Sequence, residues 1–281
     1  MRFRAWALFG LIGLLALGGA LARQYVVRRQ RGRFVYALTA ADPALPTLAR
    51  SQGYEVHELT VGTDARLRGV TRAPRGGDDP FVLFFPGNAE HQLAVTLPIL
   101  EALRAGGGAG MACWAYRGFD GSTGQPSPDN SPGDARVELD YVRHTFGISN
   151  RRLVIVGFSM GSGVALRLGA ELAKQGEPPA AVIVLSPYWT LELTPARRFG
   201  TLFPTETYVV DDVIADVAFP LLVVAAAHDE ALAVDRHAHR LMRALGSHAE
   251  YWELPHAGHH DYLADSALLG KIAAWAWPHC R

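Results

Sequence analysis

The sequence predicts an α/β protein with a mostly parallel central sheet and helices on both of its faces. Short apolar runs recur along the chain, and segments with helical character separate them. This alternation is typical of parallel strands joined by helices, and two strands of alternating pattern before it indicate an antiparallel start. With 281 residues, of which 49% are hydrophobic and 19% charged, the chain can bury the large core that such a sheet needs.

The predicted strands are of two kinds. The first two alternate apolar and polar residues, as half-buried antiparallel strands do. Most of the later ones are continuous apolar runs, which are typical of strands buried on both faces. In chain order the predicted strands are residues 54–59, 65–70, 81–85, 111–116, 153–156, 181–185, 221–226 and 249–254.

Helices are predicted between these strands. The segment 133–146 has a clear start, because Ser131 can cap the helix and Pro132 suits its first position. The other predicted helices are residues 89–105, 164–170, 234–245 and 262–276.

Two segments depart from this alternation. Residues 24–50 form a connector with one short structured piece, which Pro43 and Pro46 interrupt. Residues 187–218 show no clear strand but carry several large apolar side chains. We expect this stretch to be a small lid-like insertion over the carboxyl-terminal edge of the sheet, where such folds bind ligands. The predicted domain covers residues 34–281 and includes this insertion.

The segment 1–33 is predicted to be separate from that domain. An uncharged run from Ala5 to Ala22 lies between Arg2 and Arg4 on one side and a cluster of arginines on the other. The run is just long enough to span a bilayer, and it ends in the small-x-small pattern of a signal-peptidase site. We expect a membrane anchor that keeps the protein membrane-associated. The alternative is export after cleavage following Ala22.

Charge and cysteine content exclude several classes of partner and site. The formal net charge is zero and the sequence pI is about 7.2, so no basic face for nucleic acid is expected. The two cysteines, Cys113 and Cys280, make neither a disulfide framework nor a metal set. We expect Cys113, which lies in a predicted buried strand, to be a small core residue.

The most informative motif is Gly157-Phe158-Ser159-Met160-Gly161, between a predicted strand and a predicted helix. This layout is typical of a nucleophile elbow, a tight turn that exposes a serine hydroxyl at the N-terminus of a helix. Small residues two positions before and after the serine let strand and helix approach each other. Because a serine hydroxyl is a weak nucleophile, it needs a general base and an acid that orients the base.

Both partners are expected in loops at the carboxyl ends of later strands. The seventh predicted strand runs into Asp229, with Glu230 as a near rival for the acid. The eighth runs into a loop with His259, and two other histidines there compete for the role of base, His256 and His260. The chain order serine, aspartate, histidine fits this architecture.

These residues resemble the α/β-hydrolase superfamily over residues 50–281, in particular its monoacylglycerol-lipase-like and serine-aminopeptidase-like members. Within the resemblance, Ser159 takes the place of the nucleophile, Asp229 of the acid and His259 of the base. Pro86 stands where many members have histidine, and a pair of residues beginning at Asp120 replaces a single glycine. The segments that carry the resemblance are residues 86–91, 116–124, 157–161, 228–230 and 257–259.

The resemblance implies an α/β-hydrolase fold and a serine hydrolase that cleaves a carboxylic ester or thioester. The backbone N–H groups of Asn88 and Met160 would then receive the oxyanion. The implied partner is a small acyl ester or thioester substrate. Neither a metal nor an organic cofactor is needed for this chemistry.

Two alternatives remain open. One is a peptidase or amidase of the serine-aminopeptidase-like type, for which Glu90 and Asp120 are candidates for a subsite that binds a peptide amine. The other is a non-catalytic interaction protein with a hydrolase fold, which the complete Ser/Asp/His set disfavours. Ser122 lies in a glycine-rich turn and is expected to be a turn residue, not a second nucleophile.

Overall fold

Ten strands and six α-helices lie in the part of the chain that the structure, a computed structural model, describes: residue 36 and residues 38–104, 107–193 and 206–280. The strands are β1 (Glu55–Val61), β2 (Ala65–Arg72), β3 (Phe81–Phe85), β4 (Gly110–Trp114), β5 (Leu153–Phe158), β6 (Ala181–Leu185), β7 (Thr190–Leu193), β8 (Glu206–Val209), β9 (Leu221–Ala226) and β10 (Glu250–Leu254). The helices are α1 (Leu45–Ser51), α2 (Gln92–Arg104), α3 (Ser131–Phe146), α4 (Met160–Lys174), α5 (Ala238–Leu245) and α6 (Ser266–Ala276).

Eight of these strands form one sheet with the order β1-β2-β4-β3-β5-β6-β9-β10. β1 pairs antiparallel with β2, and β2 with β4, whereas the remaining neighbours in this sheet run parallel. The helices lie around the sheet, where α2 packs against α6 and α3 against α4. The predicted fold class, with an antiparallel start and a parallel remainder, is confirmed.

The central strands are apolar along their length because they are buried on both faces. Every residue of β3, β4, β5, β6 and β9 is buried, including the free thiol of Cys113. The edge strands β1 and β10 are mostly half-buried or exposed. Because the central strands run parallel, their carboxyl ends meet at one edge of the sheet, and this edge holds the loops after β3, β5, β9 and β10.

Several helix boundaries differ from the prediction. Pro46 lies in the first turn of α1 and does not interrupt it, because the first turn of a helix tolerates proline. Ser131 is the first residue of α3 and not its cap, and its hydroxyl donates to the carbonyl of Ser127. α5 begins only at Ala238, and a short 3₁₀ helix at Asp261–Ala264 precedes α6.

The segment 187–218 contains two strands that the sequence analysis missed, β7 and β8, which pair as an antiparallel hairpin. A 3₁₀ helix at Asp211–Asp216 follows it. This region packs on α4, where Arg167 pairs with Asp212 at 2.7 Å. Residues 194–205 lie outside the described residues, and the lid-like role of the insertion stays a prediction.

The predicted N-terminal segment 1–33, with its anchor and the alternative cleavage after Ala22, also lies outside the described residues and stays a prediction. Within the described ranges, no helix is both long and apolar enough to cross a bilayer. The hydroxyl of Tyr36, the first described residue, lies 2.7 Å from that of Tyr208 in β8. This contact ties the start of the described chain to the hairpin.

Candidate active site

The elbow lies between β5 and α4. β5 ends at Phe158, α4 begins at Met160, and Ser159 joins them with a φ of 50°. A positive φ is strained for a residue that carries a side chain. At this turn it holds the hydroxyl clear of the surrounding backbone.

Both glycines of the motif are required by close backbone contacts. A Cβ at Gly157 would lie 2.2 Å from the carbonyl oxygen of Gly161, and one at Gly161 would lie 2.1 Å from that of Phe85. Both distances are well inside van der Waals contact, so only glycine allows this approach. The elbow is therefore built directly against the end of β3 and the loop that follows it.

His259 bridges Ser159 and Asp229. Its Nε2 lies 3.0 Å from the Ser159 Oγ, and its Nδ1 lies 2.7 Å from the Asp229 Oδ2. Both distances are those of hydrogen bonds. The three residues follow β5, β9 and β10, whose carboxyl ends the sheet order brings to one edge. The structure thus brings together the three side chains that the sequence singled out.

Backbone hydrogen bonds join the loop of Asp229 to the loop of His259. The N–H of His228 donates to the carbonyl of Ala257, and the N–H one residue earlier donates to the last carbonyl of β10. Asp229 is 8% exposed and His259 is 4% exposed. The pair is therefore fixed in place and shielded from water, which strengthens the hydrogen bond between them.

Asp229 is held as a carboxylate. Burial alone would raise its pKa, but the His259 ring and the backbone N–H groups of Leu232 and Ala231 together lower the pKa below its ordinary value. Those two N–H groups donate to the Asp229 Oδ1 at 2.6 and 3.0 Å. A carboxylate here favours the imidazole tautomer with its proton on Nδ1, which leaves Nε2 to accept a proton from serine.

The rival candidates lie elsewhere around the histidine loop. Glu230 accepts a hydrogen bond from the backbone N–H of His259 at 3.2 Å, and Asp261 accepts one from the preceding residue at 2.8 Å. Both carboxylates therefore hold the backbone of this loop. The ring of His260 lies 4.6 Å from the ring of His259, and His256 is exposed.

The loop 86–91 follows β3 and lies against the elbow. A Cβ at Gly87 would lie 3.4 Å from the Cβ of Ser159. Asn88 is the next residue of this loop, and Met160 is the first residue of α4, where helical N–H groups lack an intrahelical acceptor. Met160 therefore follows the serine directly, and Asn88 follows a glycine that lies against it. Their role as oxyanion donors stays a prediction.

Two buried side chains that the sequence analysis did not single out hold this loop. Gln92 donates from Nε2 to the carbonyl of Gly87 at 2.6 Å, and its Oε1 accepts from the N–H of Tyr116 at 3.1 Å. The Tyr116 hydroxyl donates to the carbonyl of Pro86 at 2.9 Å. Gln92 and Tyr116, here called the loop clamp, thus bind the two carbonyl groups that precede Asn88.

The inserted residue Asp120 supports the same loop. It is fully buried, has a φ of 48°, and accepts a hydrogen bond from the N–H of Leu93 at 2.7 Å. Its other carboxylate oxygen lies 3.5 Å from the His91 Nδ1. Asp120 therefore pins the start of α2 and is not open to a peptide amine. Glu90, the other candidate for an amine subsite, is exposed.

No family model matches the chain. The uncharacterized protein Rv2307c of Mycobacterium tuberculosis is 29% identical over 292 aligned positions, which cover 96% of this chain and 99% of that protein. The lysophosphatidylserine lipase ABHD12 of Danio rerio is 32% identical over 114 positions, which cover 39% of this chain and 28% of that protein.

A likeness to solved structures settles the fold. XC6422 of Xanthomonas campestris, described as an α/β serine hydrolase without a lid, matches with a TM-score of 0.60 at 20% sequence identity. The match covers 80% of this chain and 94% of that one. The eight-stranded, mostly parallel sheet with its surrounding helices agrees with that architecture. The chain therefore has the α/β-hydrolase fold.

Proposed function

We propose that the chain is a serine hydrolase that cleaves a carboxylic ester or thioester through an acyl-enzyme on Ser159. The observation that carries the proposal is the continuous hydrogen-bonded line from the Ser159 Oγ through His259 to Asp229, with steps of 3.0 and 2.7 Å. Such a line is what a serine hydroxyl needs to react as a nucleophile near neutral pH.

The mechanism has two halves. Ser159 Oγ attacks the substrate carbonyl carbon while His259 Nε2 takes the hydroxyl proton, and Asp229 stabilises the resulting imidazolium. The backbone N–H groups of Asn88 and Met160 receive the oxyanion, and loss of one such donor typically costs about 3 kcal/mol of barrier. His259 then gives its proton to the leaving alcohol or thiol. Water attacks the acyl-enzyme in the second half, again with His259 as base.

The comparisons favour an ester substrate over a peptide. The Danio rerio relative is a lysophosphatidylserine lipase, and lysophosphatidylserine is an acyl ester. The burial of Asp120 removes one of the two acidic groups considered for an amine subsite. An activated acyl ester should therefore turn over faster than the matching anilide on one preparation of enzyme.

Active-site labelling tests the proposal directly. The full-length chain should react with a fluorophosphonate probe, and Ser159→Ala should not. Ser122→Ala is the matched control, because the Ser122 hydroxyl accepts from the N–H of Arg68 at 2.8 Å and donates to the carbonyl of Ala115 at 3.0 Å, away from the elbow. Labelling that persists in Ser159→Ala would refute the nucleophile. A labelled enzyme that turns over no acetyl, butyryl or octanoyl ester would refute the substrate class.

A further inference from the structure

A cavity of about 570 Å³ lies beside the candidate site, between α2 and the segment that leads into α6. Its volume is within the range of small-molecule sites. Its walls are mostly apolar and include Val95, Ile99 and Ala102 from α2, and Leu263 and Ala264 from the opposite side. The chemistry described so far makes no use of it.

This cavity shares a wall with the candidate site. Gly87, Phe158 and His260 line it, and these are the direct chain neighbours of Asn88, Ser159 and His259. The reacting side chains themselves do not line it. A group held in the cavity would therefore lie one residue away from the serine, past the ring of Phe158.

The lining favours an uncharged, apolar occupant. His260 is the one titratable residue among the described lining residues. Partial burial lowers its pKa, and the neighbouring His259 lowers it further. The described lining contains no lysine or arginine as a counter-charge to a phosphate or carboxylate group. Most side chains that α2 contributes to the wall are apolar, and the amide of Gln92 is already hydrogen-bonded to Gly87 and Tyr116. Polar groups of a ligand therefore find few partners there, whereas methylene groups gain from leaving water.

We propose that this cavity binds an unbranched aliphatic chain of the ester substrate. The inference rests on the proposed function and names its substrate class. A short acyl group stays at the serine and does not reach past Phe158, so only longer chains gain from the cavity. Each methylene that enters should raise kcat/KM by roughly fourfold. On the side of the ester that enters the cavity, an eight-carbon chain should exceed a two-carbon chain by at least about tenfold.

The experiment measures chain-length selectivity in two arms. One arm uses p-nitrophenyl acetate, butyrate, hexanoate and octanoate, which lengthen the acyl side. The other uses acetate esters of ethanol, butanol and octanol, which lengthen the alcohol side. A rise in kcat/KM with length in either arm supports the proposal and identifies the side that enters the cavity. A flat response in both arms would overturn it.

Substitutions at the mouth of the cavity test its location. Val95 is 49% exposed, so Val95→Trp can place an indole over the cavity with little risk to folding. Ala264→Trp does the same from the exposed opposite wall. Leu48→Trp is the matched control, because Leu48 is 36% exposed on α1 and lies outside the cavity. In the arm that responds to chain length, the ratio of kcat/KM for the longest ester to that for the shortest should fall at least about tenfold in the two cavity variants and stay unchanged in the control. An unchanged ratio in both cavity variants would refute the assignment.

A binding measurement separates this proposal from the proposed function. The fluorescent probe 11-(dansylamino)undecanoic acid should bind to Ser159→Ala, and adding Val95→Trp should weaken that binding by about tenfold or more. Equal binding with and without Val95→Trp would overturn the cavity assignment. The probe could bind in a way that Val95→Trp weakens while the chain with Ser159 hydrolyses no ester, not even acetate esters. That result would refute the proposed function and leave the aliphatic site in place.

Discussion

Gln92→Leu tests whether the loop clamp sets the position of the loop 86–91, which carries Asn88. The side chain of Gln92 is fully buried and donates to the carbonyl of Gly87 at 2.6 Å, while it accepts from the N–H of Tyr116 at 3.1 Å. Leucine is similar in size but makes neither hydrogen bond. It would leave the buried N–H of Tyr116 unpaired, whereas the carbonyl of Gly87 keeps the N–H of Ala89 as a donor at 3.1 Å. The unpaired N–H costs about 1–3 kcal/mol and the lost bond to Gly87 about 1 kcal/mol more, so the free energy of unfolding should fall by roughly 2–4 kcal/mol.

The same change should lower kcat more than it raises KM. Asn88 follows Gly87 directly, and complete loss of one oxyanion donor costs about 10²–10³ in kcat. The loop keeps its second hydrogen bond, from the Tyr116 hydroxyl to Pro86. We therefore expect kcat to fall by about tenfold to a hundredfold, because the oxyanion exists only beyond the ground state.

The assay combines steady-state ester hydrolysis with thermal unfolding, at a temperature where each variant is folded. Tyr54→Phe is the matched control, because it removes a buried hydroxyl that donates to Glu101 at 2.8 Å, in a region apart from the elbow. It should lower the melting temperature and leave kcat unchanged. A Gln92→Leu variant with a lower melting temperature but an unchanged kcat would refute this role of the loop clamp.

Two further substitutions probe the acid and a buried carboxyl group. Asp229→Asn should lower kcat by about 10⁴, since an amide favours the wrong tautomer of His259, and a loss below about tenfold in single-turnover hydrolysis would contradict the assigned role. Burial, followed by the neighbouring Asp134, raises the pKa of Glu138 well above its ordinary value. As the pH rises, the unfolded chain loses this proton at a lower pH than the folded chain does. The free energy of unfolding therefore falls as the pH rises above about 4.3. Glu138→Gln should remove up to about 1.4 kcal/mol of that fall per pH unit, measured by urea unfolding between about pH 5 and pH 7. Equal slopes of the free energy of unfolding against pH in the two proteins would contradict this expectation.

The sequence predicted the central sheet well because its strands are buried on both faces. A strand such as β9 must be apolar at every position, so its pattern is visible without any partner. The hairpin of β7 and β8 left no such pattern, because each strand has only four residues and none of those in β7 is fully buried. One contact that holds β8 comes from far away in the chain, since Arg167 of α4 donates to the carbonyl of Val209 at 2.8 Å.

The candidate site was predictable where backbone geometry restricts residue type. The glycines of the elbow reflect close contacts that exclude a Cβ, and the acid and base follow strands whose order in the sheet is a property of the fold. Gln92 and Tyr116 were not predictable in this way. Their partners are backbone groups, which any side chain of suitable reach could satisfy. The signals were a polar residue at the start of a mostly apolar helix and, for Tyr116, a place in the segment 116–124 that carries the resemblance.

The close approach of Gly157 to Gly161, and of Gly161 to Phe85, fixes the backbone that carries the Ser159 hydroxyl. Three stretches of main chain must already be in register before Ser159 can adopt its positive φ, and each of them belongs to the buried interior. A partly unfolded chain cannot hold the Ser159 hydroxyl in this orientation. If Ser159 is the nucleophile, heat inactivation should therefore coincide with cooperative melting of the sheet.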